Sequence, residues 1–407
     1  MLTRPSLDTV VRGGYGIYYT LFERFGSENQ MALNPPFLIN KTLASNTSPV
    51  LIAQNGFPAN FLDPNSVNLQ ALQAFHIRAV NPDNPVPMVQ QWSFGVQHQF
   101  SSVWSAELNY VGTKSTNLDR LSNFNQPMIT NGVSTGVVPY KNFGYIEYLN
   151  QNGYGNYNGL EASLLHRFHN GLDLRAAYTY SRSLDNTPQE LESNSGAAPD
   201  GRNAAAWYGL SDFDIPHRVA VSYSYELPFG HGKALLHDGV LAHIFGGFRT
   251  SGVYTYYSGH PFTVNEGSTL GSALDPFGQA TAVPNVVGAT HIVGDPSCWF
   301  FISLNKACQA LAPGLTNAYP VLPAGVVGNT GRNTLRGPHT TVFDAAITRD
   351  FSMTERAKLQ FRWEVFNLTN TPEFGQPSGN VTSGAAGSIT TLSGDPRVMQ
   401  FALRLSF

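Results

Sequence analysis

Hydrophobic and polar residues alternate in single steps along much of the chain. In the segment 91–100, one set of alternate positions is apolar and the other is polar: Trp92, Phe94, Val96 and Phe100 against Gln91, Ser93, Gln97 and Gln99. A period of two residues is the pattern of a β-strand with one apolar and one polar face, whereas an amphipathic helix repeats every ~3.6 residues. The segment is therefore predicted to be a strand with two unlike faces.

The same alternation predicts two tight hairpins. Only Ser101 and Ser102 separate the first strand from the next one, at 103–112. A second pair of strands is separated by His169, Asn170 and Gly171. Because Asn-Gly is a strong signal for a two-residue hairpin turn, we expect the chain to reverse there.

The alternation extends over about ten strands of roughly ten residues, the length that crosses a bilayer when tilted. The connections alternate in length: those after the even strands are short or moderate (101–102, 169–171, 228–245 and 352–356), and those after the odd strands are long (21–89, 113–158, 183–215, 259–339 and 367–397). A transmembrane barrel has short periplasmic turns at one end and long external loops at the other. The expected fold is therefore an all-β antiparallel transmembrane β-barrel. A soluble β-sandwich also gives alternating strands, but it predicts shorter strands and no consistent side for the long loops.

The barrel interpretation gives the polar face a role. Charged side chains are costly where they face lipid, and the charged residues of the strands fall opposite the apolar row. Those predicted to face the lumen are Arg167, Arg175, Arg218, Glu226, Arg362, Glu364 and Arg404. Arg362 and Glu364 could contact a plug or a substrate, and pairing across to neighbouring strands is the favoured alternative.

Composition agrees with a membrane barrel and excludes other classes. Only 13% of the residues are charged and the formal net charge is -3, so no basic surplus indicates nucleic acid as a partner. No stretch approaches the roughly 18 to 20 apolar residues of a membrane-spanning helix. The run Met1–Tyr19 lacks the apolar segment of a secretory signal peptide.

Cys298 and Cys308 are the only cysteines, and they lie in a segment rich in Pro and Gly. A disulfide closing a short external loop is predicted, with two free buried thiols as the alternative. A metal site would need more ligands than His291 can add.

Several segments resemble those of Oar-like TonB-dependent receptors. In chain order they are 91–97 (QWSFGVQ), 107–112 (ELNYVG), 212–218 (DFDIPHR) with 225–230 (YELPFG), 331–338 (GRNTLRGP) and 361–370 (FRWEVFNLTN), together with the terminal Phe407. Members of this family are outer-membrane transporters with a regulatory carboxypeptidase-like domain, a plug and a barrel of about 22 strands.

The resemblance implies that residues 1–407 are the C-terminal part of such a barrel, with plug and signal peptide absent. It also implies the Gram-negative outer membrane as location and uptake of a bulky, unidentified nutrient ligand as function. The implied partners are outer-membrane lipid, the barrel assembly machinery and, through the missing plug region, the TonB complex. The assembly signal would be the terminal apolar row, Met399, Phe401, Leu403, Leu405 and Phe407.

Two other segments were considered as chemical sites. Asp212, Asp214 and His217 could form an acid/base or cation site, but no nucleophile accompanies them, so we favour the start of a strand with salt bridging to Arg218. Residues 328–337, with Arg332 and Arg336, could hold an anion in a backbone nest, but a structured lead-in to the next strand is favoured.

We expect no enzyme activity, no cofactor and no catalytic or metal-binding residue. A self-contained ten-stranded pore or adhesin remains an alternative function. An outer-membrane protease is a further alternative, because Asp185, Asp212 and His217 would lie near the external rim.

Overall fold

Ten long strands form one antiparallel sheet in the computed structural model. The structure describes residues 3–6, 8–20, 34, 53–57, 63, 77–187, 197–236, 238–277, 280–354 and 356–407. The strands are β1 (Thr9–Tyr19), β2 (Met88–Gln99), β3 (Trp104–Asn123), β4 (Ile146–His169), β5 (Leu172–Asp185), β6 (His217–Glu226), β7 (Phe248–Tyr257), β8 (Thr340–Ser352), β9 (Lys358–Phe366) and β10 (Val398–Ser406). Each long strand pairs with its neighbour in chain order, which confirms the predicted all-β antiparallel architecture.

The sheet is open over the described residues. Among them, β10 pairs only with β9, and the outer neighbour of β1 is the short strand Thr3–Ser6. Two more short strands join the sheet: Ile77–Val80 runs parallel to β4, and Gly209–Leu210 pairs with the end of β5. The hydrogen-bonded strands β1 to β10 therefore form one continuous wall.

The connections alternate in length as predicted. Residues 100–103, 170–171, 227–247 and 353–357 link strands at one end of the sheet, and 124–145, 186–216, 258–339 and 367–397 link them at the other. The first long connection, predicted at 21–89, lies mostly outside the described residues. We call these the turn end and the loop end of the sheet.

The predicted loop 113–158 is wrong at both ends, over about half of its length. β3 continues to Asn123 and β4 begins at Ile146, so that these strands contain 20 and 24 residues. The pairing between them continues through bulges near Thr116 and Leu118. Alternation of apolar and polar residues indicates that a strand has one apolar face, but it does not indicate pairing between strands. Where paired strands continue beyond the predicted bilayer without an apolar face, the sequence pattern is therefore absent.

The apolar row lies on the exposed face of the sheet. One row crosses four strands in register, from Phe94 through Tyr110 and Leu160 to Tyr180, and all four side chains are exposed. The strands therefore do not enclose a hydrophobic core on this side. We call this surface the apolar face and the opposite one the polar face.

The buried core lies instead in the long connections at the loop end. Its main cluster contains Phe262, Val264, Phe300, Ile302, Ala318, Tyr319, Leu335, Val381 and Ala386. Small two-stranded pairs lie in these connections: Pro261–Phe262 pairs with the distant Leu335–Arg336, Ile292–Asp295 with Cys298–Phe300, and Ile129–Thr130 with Val133–Ser134. We call this layer the cap.

Among the described residues, three α-helices interrupt the connections: α1 (Gly239–Phe245), α2 (Gly267–Leu274) and α3 (Lys306–Leu311). Short 3-10 helices cover Ala53–Asn55 and Ala204–Trp207. Within the described ranges, no helix has the length and apolar character needed to cross a membrane.

The Asn-Gly hairpin between β4 and β5 forms as predicted. His169 pairs with Leu172, and the two residues between them have positive φ, 51° for Asn170 and 85° for Gly171. Two successive left-handed residues match the right-handed twist of the flanking strands, which is why Asn and Gly are preferred there. A bulge between His166 and His169 brings Arg167 to this turn.

Candidate functional site

The polar face carries the charged residues that the sequence assigned to a lumen. By strand alternation and register, six of the seven lie on this face, and Arg167 lies at the hairpin bulge. The six are Arg175, Arg218, Glu226, Arg362, Glu364 and Arg404. The face is therefore hydrophilic over at least the strands β5, β6, β9 and β10.

Ion pairs and hydrogen bonds cross the polar face between neighbouring strands. Glu226 pairs with Arg249, directly opposite on β7, and with Lys233 in the turn, each at 2.9 Å. Gln360 Nε2 on β9 donates to Asp350 Oδ1 on β8 at 2.9 Å. These contacts hold an ordered polar layer on the sheet.

Arg362 and Glu364 form an ion pair with each other along β9. The favoured expectation of pairing across to neighbouring strands is wrong for Arg362, because Thr348 and Ala402 stand opposite it. Residues two apart on a strand share one face, so Glu364 on the same strand is the carboxylate that Arg362 can reach.

Two segments that carry the family resemblance meet at the loop end of the sheet. Asp214 and Arg336, 122 positions apart, form an ion pair, and the Arg336 Nη1 also donates to the Asp214 carbonyl at 3.0 Å. The Asp214 carboxylate in turn accepts from the backbone N–H of Ser183 at 2.5 Å. One carboxylate thus ties the end of β5, the approach to β6 and the approach to β8 together.

A second ion pair lies beside the first, and its arginine is fully buried. The Arg332 side chain is 0% exposed and approaches Asp185 at 2.6 Å and Asp212 at 4.0 Å. Asn333, in a left-handed conformation with φ of 55°, donates to Asp212 at 2.6 Å and to the Leu210 carbonyl at 2.8 Å. We call Asp185, Asp212, Asp214, Arg332 and Arg336 the ionic cluster.

The ionic cluster changes the reading of both candidate chemical segments. The expected salt bridge to Arg218 is wrong. Asp214 instead pairs with Arg336, and Asp212 contacts Arg332 and Asn333. The guanidinium groups that could have formed an anion nest are instead bound by carboxylates of the protein. Residues 331–336 are thus a docked lead-in to β8.

His217 does not join the carboxylates. Its Nδ1 lies 2.8 Å from the Tyr178 hydroxyl, and its ring packs against Tyr178 and Tyr180 on the apolar face. The acid/base arrangement of Asp212, Asp214 and His217 is therefore not assembled. In the part of the chain that the structure describes, no cluster of three or more His, Cys, Asp or Glu side chains could hold a metal ion.

The cap contains the cysteine pair. Cys298 and Cys308 form a disulfide with a Cα–Cα distance of 5.0 Å, a normal separation for this bond. It joins the strand Cys298–Phe300 to α3, whose first turn is capped by the Asn305 side chain. The structure thus brings these two predicted residues together within a buried cluster.

Glu266 is a buried carboxyl group that the sequence analysis did not single out. It is 1% exposed, and its Oε1 accepts from the backbone N–H of Leu322 at 2.6 Å. Burial raises its pKa, because desolvation outweighs the hydrogen bond from Leu322. The residues around Glu266 in the sequence do not indicate that its side chain is buried, so the sequence analysis could not find it.

The terminal apolar row forms the outer strand of the sheet. Met399, Phe401, Leu403 and Leu405 stand opposite Val365, Trp363, Phe361 and Leu359 of β9, and all four are exposed. Trp363 and Phe401 stack with a centroid distance of 5.9 Å. Phe407 follows the last paired residue, Ser406, and is 98% exposed.

Several solved outer-membrane transporters and receptors show structural similarity to this chain. The outer membrane transporter YddB from Escherichia coli is 11% identical, with a TM-score of 0.48 over 98% of this chain and 38% of its own. The ferric-catecholate import receptor Fiu from the same species is 11% identical, with a TM-score of 0.41 over 99% and 33%. The ferric preacinetobactin receptor BauA from Acinetobacter baumannii is 12% identical, with a TM-score of 0.42 over 100% and 35%.

The chain thus spans roughly a third to two fifths of the length of these transporters. No curated protein matches the sequence significantly. The family model described as outer membrane beta barrel domain matches residues 3–400, nearly the whole chain. This protein therefore belongs to the outer membrane beta barrel domain family, which places it in the outer membrane of a Gram-negative bacterium.

Proposed function

We propose that the chain forms part of the wall of a TonB-dependent transporter that takes up a bulky nutrient ligand. The open sheet is the observation that carries this proposal. A self-contained ten-stranded pore would pair β1 with β10, whereas over the described residues β10 pairs only with β9. An open wall of this size is what a larger barrel contributes.

The two faces of the sheet support a division of roles. The apolar face contacts outer-membrane lipid, and the polar face with its ion pairs lines a hydrated lumen. A ligand enters from the loop end, where the cap forms the external surface. TonB transmits energy through a plug region, and the terminal row is read by the barrel assembly machinery.

Two of the segments that resemble Oar-like receptors, 212–218 and 331–338, meet in the ionic cluster. This contact supports the transporter proposal, because the two resembling segments act together to fix the cap to the wall. The cap position relative to the lumen would select the ligand.

The protease alternative has little support from the geometry. Asp185 and Asp212 meet Arg332, and His217 contacts tyrosines instead. We propose that the chain is not an enzyme. Peptidase activity of the purified protein that His217→Ala abolishes would contradict this.

Cysteine cross-linking tests the open wall. The positive control is the pair Phe361→Cys with Leu403→Cys, which are direct partners on β9 and β10 and should cross-link in outer membranes under mild oxidation. Leu403→Cys combined in turn with Val11→Cys, Gly13→Cys or Tyr15→Cys on the apolar face of β1 should not. Efficient cross-linking of any β1 and β10 pair would instead establish a self-contained barrel.

A further inference from the structure

The turn between β6 and β7 carries a helix with an exposed apolar surface. α1 lies within residues 227–247, the longest connection at the turn end. Val240 is 73% exposed, and Leu241, Ile244 and Phe245 are each about half exposed at 52%, 51% and 49%. On a helix these four positions form one face, and Ala242, opposite to it, is buried.

Arg349 fixes α1 to the apolar side of the wall. Its guanidinium donates to the carbonyl of Ile244 at 2.5 Å and to that of His243. On β8, Arg349 stands opposite Phe248 and Phe361, in the same row as the other apolar-face residues. The helix therefore ends on the outer surface of the sheet and not over the polar face.

The surroundings of Arg349 suit the edge of a membrane. Its guanidinium stacks over the rings of Phe248, at 5.0 Å, and Phe351, at 4.4 Å. A cation that bonds the last carbonyls of a helix complements the helix dipole. An arginine on the lipid face costs little near the interface and much at the midplane, so these contacts mark the rim of the apolar face.

We propose that α1 is an interfacial anchor that inserts Val240, Leu241, Ile244 and Phe245 into the inner leaflet of the outer membrane, at the boundary between headgroups and acyl chains. The occupant is lipid because Arg349 fixes α1 to the apolar face, where Phe351 and Met353 are exposed. Apolar helix faces of this kind lie about 5–10 Å into the boundary region. The inference rests on the proposed lipid contact of the apolar face.

Site-specific fluorescence in vesicles tests the anchor. Both native cysteines are in the disulfide and the described residues hold no free thiol, so Leu241→Cys can be labelled with the environment-sensitive dye NBD without reductant. The labelled protein is reconstituted into phosphatidylcholine and phosphatidylglycerol vesicles, with or without lipids brominated on their acyl chains. Leu403→Cys on β10 is the positive control, and Val287→Cys, exposed in the cap, is the negative one.

The expected result is that bromolipid quenches the label at 241 as strongly as the label at 403 and leaves the label at 287 unchanged. Quenching at 403 without quenching at 241 would overturn the anchor and leave the proposed function intact. No quenching at 403 would remove the lipid-facing surface, and the proposed function with it.

Two further measurements cover the remaining outcomes. Ile244→Cys on the same face replaces Leu241→Cys if that variant does not assemble, and it should be quenched equally. A label at 241 that is shielded from aqueous iodide in the vesicles but not quenched by bromolipid would indicate cover by protein, which contradicts the anchor.

Discussion

Asp214 and Arg336 form an ion pair between two connections that precede different strands of the same wall. The contact is long-range, so neither segment can adopt this arrangement without the other. Because Arg332 beside them is completely buried between Asp185 and Asp212, the cluster stabilises the cap only while every charge has its partner. Removing Arg332 leaves the carboxylates of Asp185 and Asp212, 11% and 9% exposed, without their cation.

Arg332→Leu should therefore destabilise the attachment of the cap by about 3–5 kcal/mol, the usual cost of breaking a buried ion pair. We expect the connection 258–339 to become sensitive to protease in outer membranes while the barrel wall stays resistant. Arg356→Leu, in an exposed turn at the opposite end, is the matched control and should leave proteolysis unchanged. Equal resistance of both variants would show that the cluster does not hold the cap.

Loss of the disulfide should loosen the cap more locally. The bond closes a loop with a sequence separation of 10, for which chain entropy gives a stabilisation of roughly 2–3 kcal/mol. Cys298→Ser with Cys308→Ser should lower the denaturation midpoint of the cap without affecting membrane insertion. In the unreduced native protein, alkylation followed by mass mapping should find neither thiol modified; modification of both would contradict the disulfide.

Glu266 should make the stability of the cap depend on pH. Its pKa is raised in the folded state by burial, so the stability it contributes is present below its unfolded pKa and is lost as pH rises through the folded value. Glu266→Gln keeps an oxygen acceptor for the Leu322 N–H and removes the charge. We expect the variant to melt at a higher temperature than the native protein at pH 7.5 and at a similar one at pH 4. Equal differences at both pH values would exclude this cause.

The wall could be predicted from the sequence because one physical rule governs it. A strand between lipid and water must alternate apolar and polar residues. Phe94, Leu108 and Phe401 are apolar members of this pattern. The rule ends where the bilayer ends, which is why the outer halves of β3 and β4 were assigned to a loop. The same alternation predicted which face carries the charged residues, but it did not predict which charged residues pair with each other.

The cap and its attachment could not be predicted in this way. Asp214 has Arg218 four residues away in sequence, but it pairs with Arg336, because folding of the connections brings the distant arginine closer to the carboxylate than the local one. Arg349 is a second example. Alternation assigns it to the apolar face, where a charge is unexpected, and its position is explained by contacts with the carbonyl groups of α1 and with the rings of Phe248 and Phe351.

The terminal Phe407 allows a test that separates assembly from stability. It is almost fully exposed and follows the last paired residue of β10, so its removal deletes no packing or ladder contact of the described chain and should leave the denaturation midpoint of assembled protein unchanged. The terminal strand nevertheless presents an apolar row at a sheet edge, which can pair with an assembly partner by β-augmentation.

We therefore expect deletion of Phe407 to reduce the yield of heat-modifiable, membrane-inserted protein while the fraction that does assemble stays equally stable. Leu392→Ala, an exposed apolar residue in the last long connection, is the matched control and should assemble normally. Phe407→Tyr, which keeps an aromatic terminus, should assemble better than the deletion. Equal insertion of the native and deleted forms would show that β10 ends in an ordinary edge strand and that Phe407 is no assembly signal.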